Sequence, residues 1–233
     1  VWVHRISPAF TRSTVPSPHF AFDYILMLGA LLLAADLGFI ESRFATLGDA
    51  WPLHLLLVSL VYSAFAFRYD SRGLFTLSLT TFAAWRGVAA VSLERAVLAV
   101  LGETGSVRMN ALVCGVLFVI LGRLLLHKDV KAHFEPPAVH LGFLLILQSI
   151  GWGIEAFPDR FLLGLAGAGL AAWAWRESRF TLFVFGVLAA YLSGVTTFAL
   201  LIGEPYFITL ATTGSALSLI FGLIAVHQRF RKE

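Results

Sequence analysis

The chain has 233 residues, 58% of them hydrophobic and only 13% charged, with a formal net charge of +3. A soluble domain carries roughly a quarter charged residues, so composition excludes water as the main solvent, and a net charge of +3 is too small for a nucleic-acid footprint. The single cysteine, Cys114, excludes an intrachain disulfide and a cysteine cluster for metal.

Residues 1–19 hold Pro8, Pro16 and Pro18 among Ser and Thr, which predicts an extended tail, and the opening on Val1 leaves room for a preceding segment. Eight apolar stretches follow, bounded by charges and breakers: Phe20–Ile40, Trp51–Phe67, Gly73–Val91, Met109–Leu126, Ala138–Ile154, Phe161–Trp175, Phe180–Ile202 and Phe207–Val226. Most approach the ~20 residues that cross a hydrocarbon core, while the second, fifth and sixth are short. The first stretch is too long for a signal-peptide core, carries Asp23 and Asp36, and has no small-residue cleavage site before Glu41. Between the third and fourth, Ser92–Glu103 gathers Leu93, Ala96, Val97, Val100 and Leu101 on one face, as an interfacial helix would, with an irregular loop as the alternative. The fold class expected is therefore all-α: a polytopic transmembrane bundle of about eight spans over residues 20–226, closed by a basic tail at 227–233.

Twelve of the 17 Lys and Arg fall on one side of this arrangement; Arg43, Arg95, Arg108 and Arg160 fall on the other, and Arg86 lies within the third stretch. That bias predicts a cytoplasmic position for both termini. A repeat points the same way. Asp70–Val88 and Glu177–Val195 align without a gap and share Ser, Arg, Ala, Gly and Val, so the chain reads as two halves, 20–126 and 138–226, in a parallel repeat of four and four helices.

The run Phe67-Arg68-Tyr69-Asp70-Ser71-Arg72, followed by an apolar helix ending Ala83-Ala84-Trp85-Arg86-Gly87-Val88, resembles the bacterial multi-pass membrane family catalogued as domain of unknown function 2157. The likeness covers mainly the first half. Members of that family typically carry a soluble helical segment ahead of the first span. The resemblance implies a bacterial inner-membrane protein and supplies no activity or catalytic residue.

Intramembrane polar residues are where chemistry would reside. Asp36 and Arg86 lie sixteen and thirteen residues into rising helices, which at ~1.5 Å per residue places them level with each other. An unpaired charge there is expensive, so an Asp36–Arg86 ion pair is the expected contact, either as a structural clamp or as a gated pair in a transport path. Gln148 and Ser193 complete a candidate polar path, and Ser193 stands opposite Arg86 in the repeat. His54 and His140, near helix starts on opposite sides, are the candidates for axial ligation of a haem or chlorophyll, with interfacial solvation as the alternative. The cofactor is otherwise unknown, and no catalytic motif such as HExxH or GxSxG occurs.

Gly164, Ala168 and Ala172 on the sixth helix, and Gly214, Ser218 and Gly222 on the eighth, have the small-xxx-small spacing of closely packed helices. The function expected is a non-enzymatic integral membrane protein, an accessory or scaffold subunit of a larger bacterial membrane complex, energy-transducing complexes included. Its partners are the lipid bilayer and other membrane subunits. The rival reading is a small-solute or ion transporter working through Asp36 and Arg86.

Overall fold

A computed structural model describes residues 20–97 and 105–230. The extended tail expected at 1–19, residues 98–103 of the expected interfacial segment and the end of the basic tail at 231–233 lie outside the described residues.

Among the described residues the chain is all-α, with eight helices: α1 (Phe20–Phe44), α2 (Leu53–Tyr69), α3 (Arg72–Val97), α4 (Gly105–His127), α5 (Glu135–Gly151), α6 (Phe157–Arg176), α7 (Phe180–Ile202) and α8 (Pro205–Phe230). Short 3₁₀ turns at Gly48–Ala50 and Ala132–Phe134 precede α2 and α5. Local chemistry sets these ends. Pro158 sits at the start of α6, where its missing N–H is of no consequence. Gly203 closes α7 with φ 72°, and its N–H bonds to the Ala199 carbonyl; a side chain would make that left-handed turn costly. One expectation is corrected: Ser92–Val97 continues α3 in place of starting a separate interfacial helix. The C-terminal segment differs too, since α8 stays helical through Phe230.

Among the described residues four helical stretches are long and apolar enough to cross a membrane: Ala21–Phe44, Val107–His127, Phe180–Ile202 and Ala211–Gln228. α2 and α5 reach only 17 residues each. Large apolar side chains point outward along these spans, including Phe39, Leu201 and Phe221. A soluble protein does not expose that much contiguous hydrocarbon, and lipid is the solvent that removes the cost.

Contacts divide the chain into two compact units, with the boundary in the chain falling within α5, between Gly142 and Phe143. In the first unit α2 and α3 form a tight hairpin. The Ser59 hydroxyl donates to the Ser78 carbonyl and the Ser78 hydroxyl to the Ser59 carbonyl, each at 3.0 Å. This reciprocal pair satisfies two hydroxyls where no water reaches. α1 contributes the buried stripe Phe22, Leu26 and Ala30. The start of α5 belongs to this unit because it packs on α4: a Cβ on Gly122 would lie 2.8 Å from Val139, and one on Gly142 2.7 Å from the Gly115 carbonyl oxygen.

In the second unit α6 and α7 cross at backbone contact. A Cβ on Gly167 would lie 2.6 Å from both Ala190 N and Gly186 O, and one on Gly186 2.5 Å from Ala171 N. Only glycine permits that approach, and the close packing of two backbones is what replaces the hydrophobic effect inside a membrane. α8 joins α7 through the Tyr191 hydroxyl, which donates to the Thr212 carbonyl at 3.0 Å, and Trp175, Phe183 and Phe230 cluster at one end.

Candidate functional site

The densest buried polar group in the first unit lies between the α2–α3 turn and the α4–α5 connection. α2 stops at Asp70, which takes the left-handed conformation at φ 60° and ψ 33°. Aspartate tolerates that region better than most residues. Ser71 then precedes α3, its hydroxyl accepting the Leu74 N–H at 3.4 Å. Across from this turn, Phe134 is fully buried, stacked on Phe75 with ring centroids 4.5 Å apart and edge-on to Phe67 at 5.3 Å. That aromatic plug carries Lys131 and His133 to Asp70. The Lys131 ammonium lies 3.2 Å from Asp70 Oδ1 and His133 Nε2 2.7 Å from the same oxygen, with side chains 1%, 7% and 5% exposed for Lys131, His133 and Asp70.

Burial pushes the His133 imidazole below its ordinary value of 6.5, Asp70 pulls it upward, and Arg72 and Lys131 push it down again. Because burial disfavours the charged imidazole, His133 meets the Asp70–Lys131 ion pair without adding a third buried charge. Beside it Glu135 opens α5, where the helix dipole favours an acid, and forms an ion pair with Arg123 at 3.6 Å. The Ser71 hydroxyl beside the cluster serves the α3 N-terminus by accepting the Leu74 N–H. What the arrangement does is fasten one loop to another through a member that can take up a proton. Lys131, His133 and Glu135 stand at alternate positions ahead of Pro136-Pro137, and that pattern is the only trace of the cluster in the sequence.

No protein-family model, curated protein or solved structure matches this chain. The site must be read from its own geometry.

The polar residues singled out in the membrane are not brought together. Asp36 is exposed on α1 and Arg86 half-buried on α3, and among the described residues no ion pair joins them. The phase of α1 explains the separation. Its buried stripe centres on Leu26, and Asp36 lies about 80° round the helix from that centre at ~3.6 residues per turn. Arg86 faces α4 instead and interacts with the Cys114 thiol. That thiol donates to Asn110 Oδ1 at 3.7 Å, and the Asn110 amide donates to the Ala83 carbonyl at 3.4 Å. Arg86, Asn110 and Cys114 thus form a polar seam between α3 and α4.

Gln148 and Ser193 do not line one path either. Ser193 is buried, its hydroxyl donating to the Arg160 carbonyl at 2.7 Å and fitting against Gly164, whereas Gln148 is exposed on α5 in an apolar groove. His54 sits beside α1, its Nε2 3.9 Å from where a Gly38 Cβ would stand, and His140 is half-buried on α5. Among the described residues no group of three or more His, Cys, Asp and Glu is placed to hold a metal ion.

The packing rows also resolve. Gly164 lies in the α6–α7 contact, but Ala168 and Ala172 are exposed, and the buried face of α6 runs through Leu163, Gly167, Leu170 and Ala174. Gly214, Ser218 and Gly222 of α8 are all exposed, with open space where either glycine Cβ would stand.

Proposed function

We propose that the chain is a non-enzymatic integral membrane protein serving as an accessory or scaffold subunit of a larger bacterial inner-membrane assembly. The observation that carries this reading is the unused packing surface of α8. None of the Ala211–Gln228 window is buried, yet the helix presents Gly214, Ser218 and Gly222 in a row. The equivalent small residues between α6 and α7 are consumed by a helix neighbour at backbone distance. Rows of this kind let a second helix approach closely, and a partner subunit would supply it. The charge bias and the likeness to the family of unknown function support a bacterial inner membrane with both termini inside.

The transporter reading needs Asp36 and Arg86 to act together, and they stand apart. The test is gentle extraction from native membranes. As a subunit, the 25.5 kDa chain should co-migrate with other proteins far above its own mass, and Gly214→Leu should release it from the assembly without lowering the stability of the purified chain. Solute or ion flux from the purified protein in vesicles, abolished by Asp36→Asn, would replace this reading with the transporter.

A further inference from the structure

In the second unit a groove of about 470 Å³ runs between α5 and α7, backed by Leu163 of α6 and walled by Leu144, Phe185 and Leu188. Its volume falls within the range of sites that hold small ligands. One carboxamide interrupts this apolar lining. Gln148 is exposed in the groove, and among the described residues its side chain makes no hydrogen bond. A carboxamide facing hydrocarbon without a partner is costly, which marks a place for a ligand that brings a hydrogen-bonding group of its own.

The same end of the unit supplies a second unmet group. Arg160, in the first turn of α6, is half-buried, and its Nε is enclosed with no hydrogen-bond partner among the described residues. Among the described residues no carboxylate forms an ion pair with it. The Arg160 carbonyl is held by Ser193, which fixes this turn against α7. Trp152, Phe157 and Phe161 are all exposed around this turn, as the aromatic belt of a membrane interface is. Arg160 thus stands at the level of lipid headgroups.

Depth relates the two groups. Gly151 and Leu163 stand at one level, since a Cβ on Gly151 would lie 3.8 Å from the Leu163 side chain. From that level Gln148 is about 4.5 Å deeper along α5 and Arg160 about 4.5 Å shallower along α6, a difference in depth of about 9 Å. An apolar groove, then a neutral hydrogen-bonding group, then an unpaired cation is the order in which a phospholipid presents its acyl chain, ester carbonyl and phosphate.

We propose that this groove binds one phospholipid, with an acyl chain between α5 and α7, an ester carbonyl on the Gln148 amide and the phosphate on the Arg160 guanidinium. The site is independent of whether the chain joins a larger assembly. Its charge complementarity favours a lipid over an isoprenoid quinone, which has carbonyls but no anion for Arg160, and over an apolar partner helix, which has neither.

The test uses the full chain, delipidated in an uncharged detergent and titrated with phosphatidylglycerol, diacylglycerol and an isoprenoid quinone, with bound molecules counted by native mass spectrometry. One phosphatidylglycerol should bind per chain, at least roughly ten-fold tighter than diacylglycerol. Arg160→Gln should reduce phosphatidylglycerol to the diacylglycerol level and leave diacylglycerol unchanged, and Arg160→Lys should recover most of the loss. Gln148→Leu should weaken both lipids. Leu188 is 40% exposed, so Leu188→Trp fills the groove without disturbing the α6–α7 contact and should abolish binding of both. Preference for the quinone, or phosphatidylglycerol binding indifferent to both Arg160→Gln and Leu188→Trp, overturns the proposal. So does a partner's helix found cross-linked to position 148 in native membranes with no lipid bound.

Discussion

The Lys131 ammonium lies 3.2 Å from Asp70 Oδ1, and the two side chains are 1% and 5% exposed. At that depth neither charge has water to fall back on, so each depends on the other. The pair joins the end of α2 to the turn that launches α5, and it works together with the Phe134 stack on Phe75.

Breaking one half of such a pair leaves the other buried and uncompensated. Asp70→Asn or Lys131→Met should each lower stability by about 3–5 kcal/mol. The double variant should lose clearly less than the sum, because it removes both charges. Denaturant unfolding of the purified chain, followed by tryptophan fluorescence, measures all three; additive losses would show that the two side chains act separately.

His133 makes the same contact depend on pH. Its value in the docked state is lowered from the ordinary 6.5, chiefly by burial, so the undocked state binds the proton first as pH falls. The stabilisation is full above about 6.5 and is lost as pH drops from there toward the lowered docked value. Unfolding midpoints should therefore be flat from about pH 8 to 6.5 and decline below it, and His133→Gln should remove that decline while leaving the carboxylate effects at lower pH. A midpoint that rises through this window would contradict the burial of a neutral imidazole.

Between α6 and α7 the test is steric. Gly186→Ala puts a methyl 2.5 Å from Ala171 N and 2.6 Å from Gly167 O, and backbone cannot step aside as a side-chain tip can, so a loss of about 1–3 kcal/mol or more is expected. Gly169→Ala on the same hairpin meets open space and should cost nothing. Equal effects at the two glycines would mean that the helices do not cross here.

For Asp36 and Arg86 the structure sets an expectation opposite to the charge argument. Asp36→Asn and Arg86→Gln should add within about 0.5 kcal/mol, since the groups share no partner. Arg86→Gln and Asn110→Ala should not add, because both residues touch Cys114. A strong coupling between positions 36 and 86 would restore the ion pair between α1 and α3.

The helices themselves were written in the order of the residues. Runs of apolar side chains ending at Arg, Lys, Gly or Pro fix where a chain in lipid must satisfy its own backbone, and α7 begins and ends where the run Phe180–Ile202 does. The membrane as solvent followed from composition for the same reason. Rotation was another matter. Asp36 and Arg86 share a depth, which residue counting finds, but they do not share an azimuth, which depends on the stripe α1 buries. On α6 small residues recur in more than one row, Gly164-Ala168-Ala172 and Gly167-Ala171 among them. The row that packs is chosen by the glycine facing it on α7, because two backbones can touch only where both lack a side chain. The Asp70–Lys131–His133 contact lay further still from anything local. Asp70 is remote in sequence from Lys131 and His133, and only the seating of Phe134 against Phe67 and Phe75 puts a carboxylate, an ammonium and an imidazole within reach of one another in a place water does not enter.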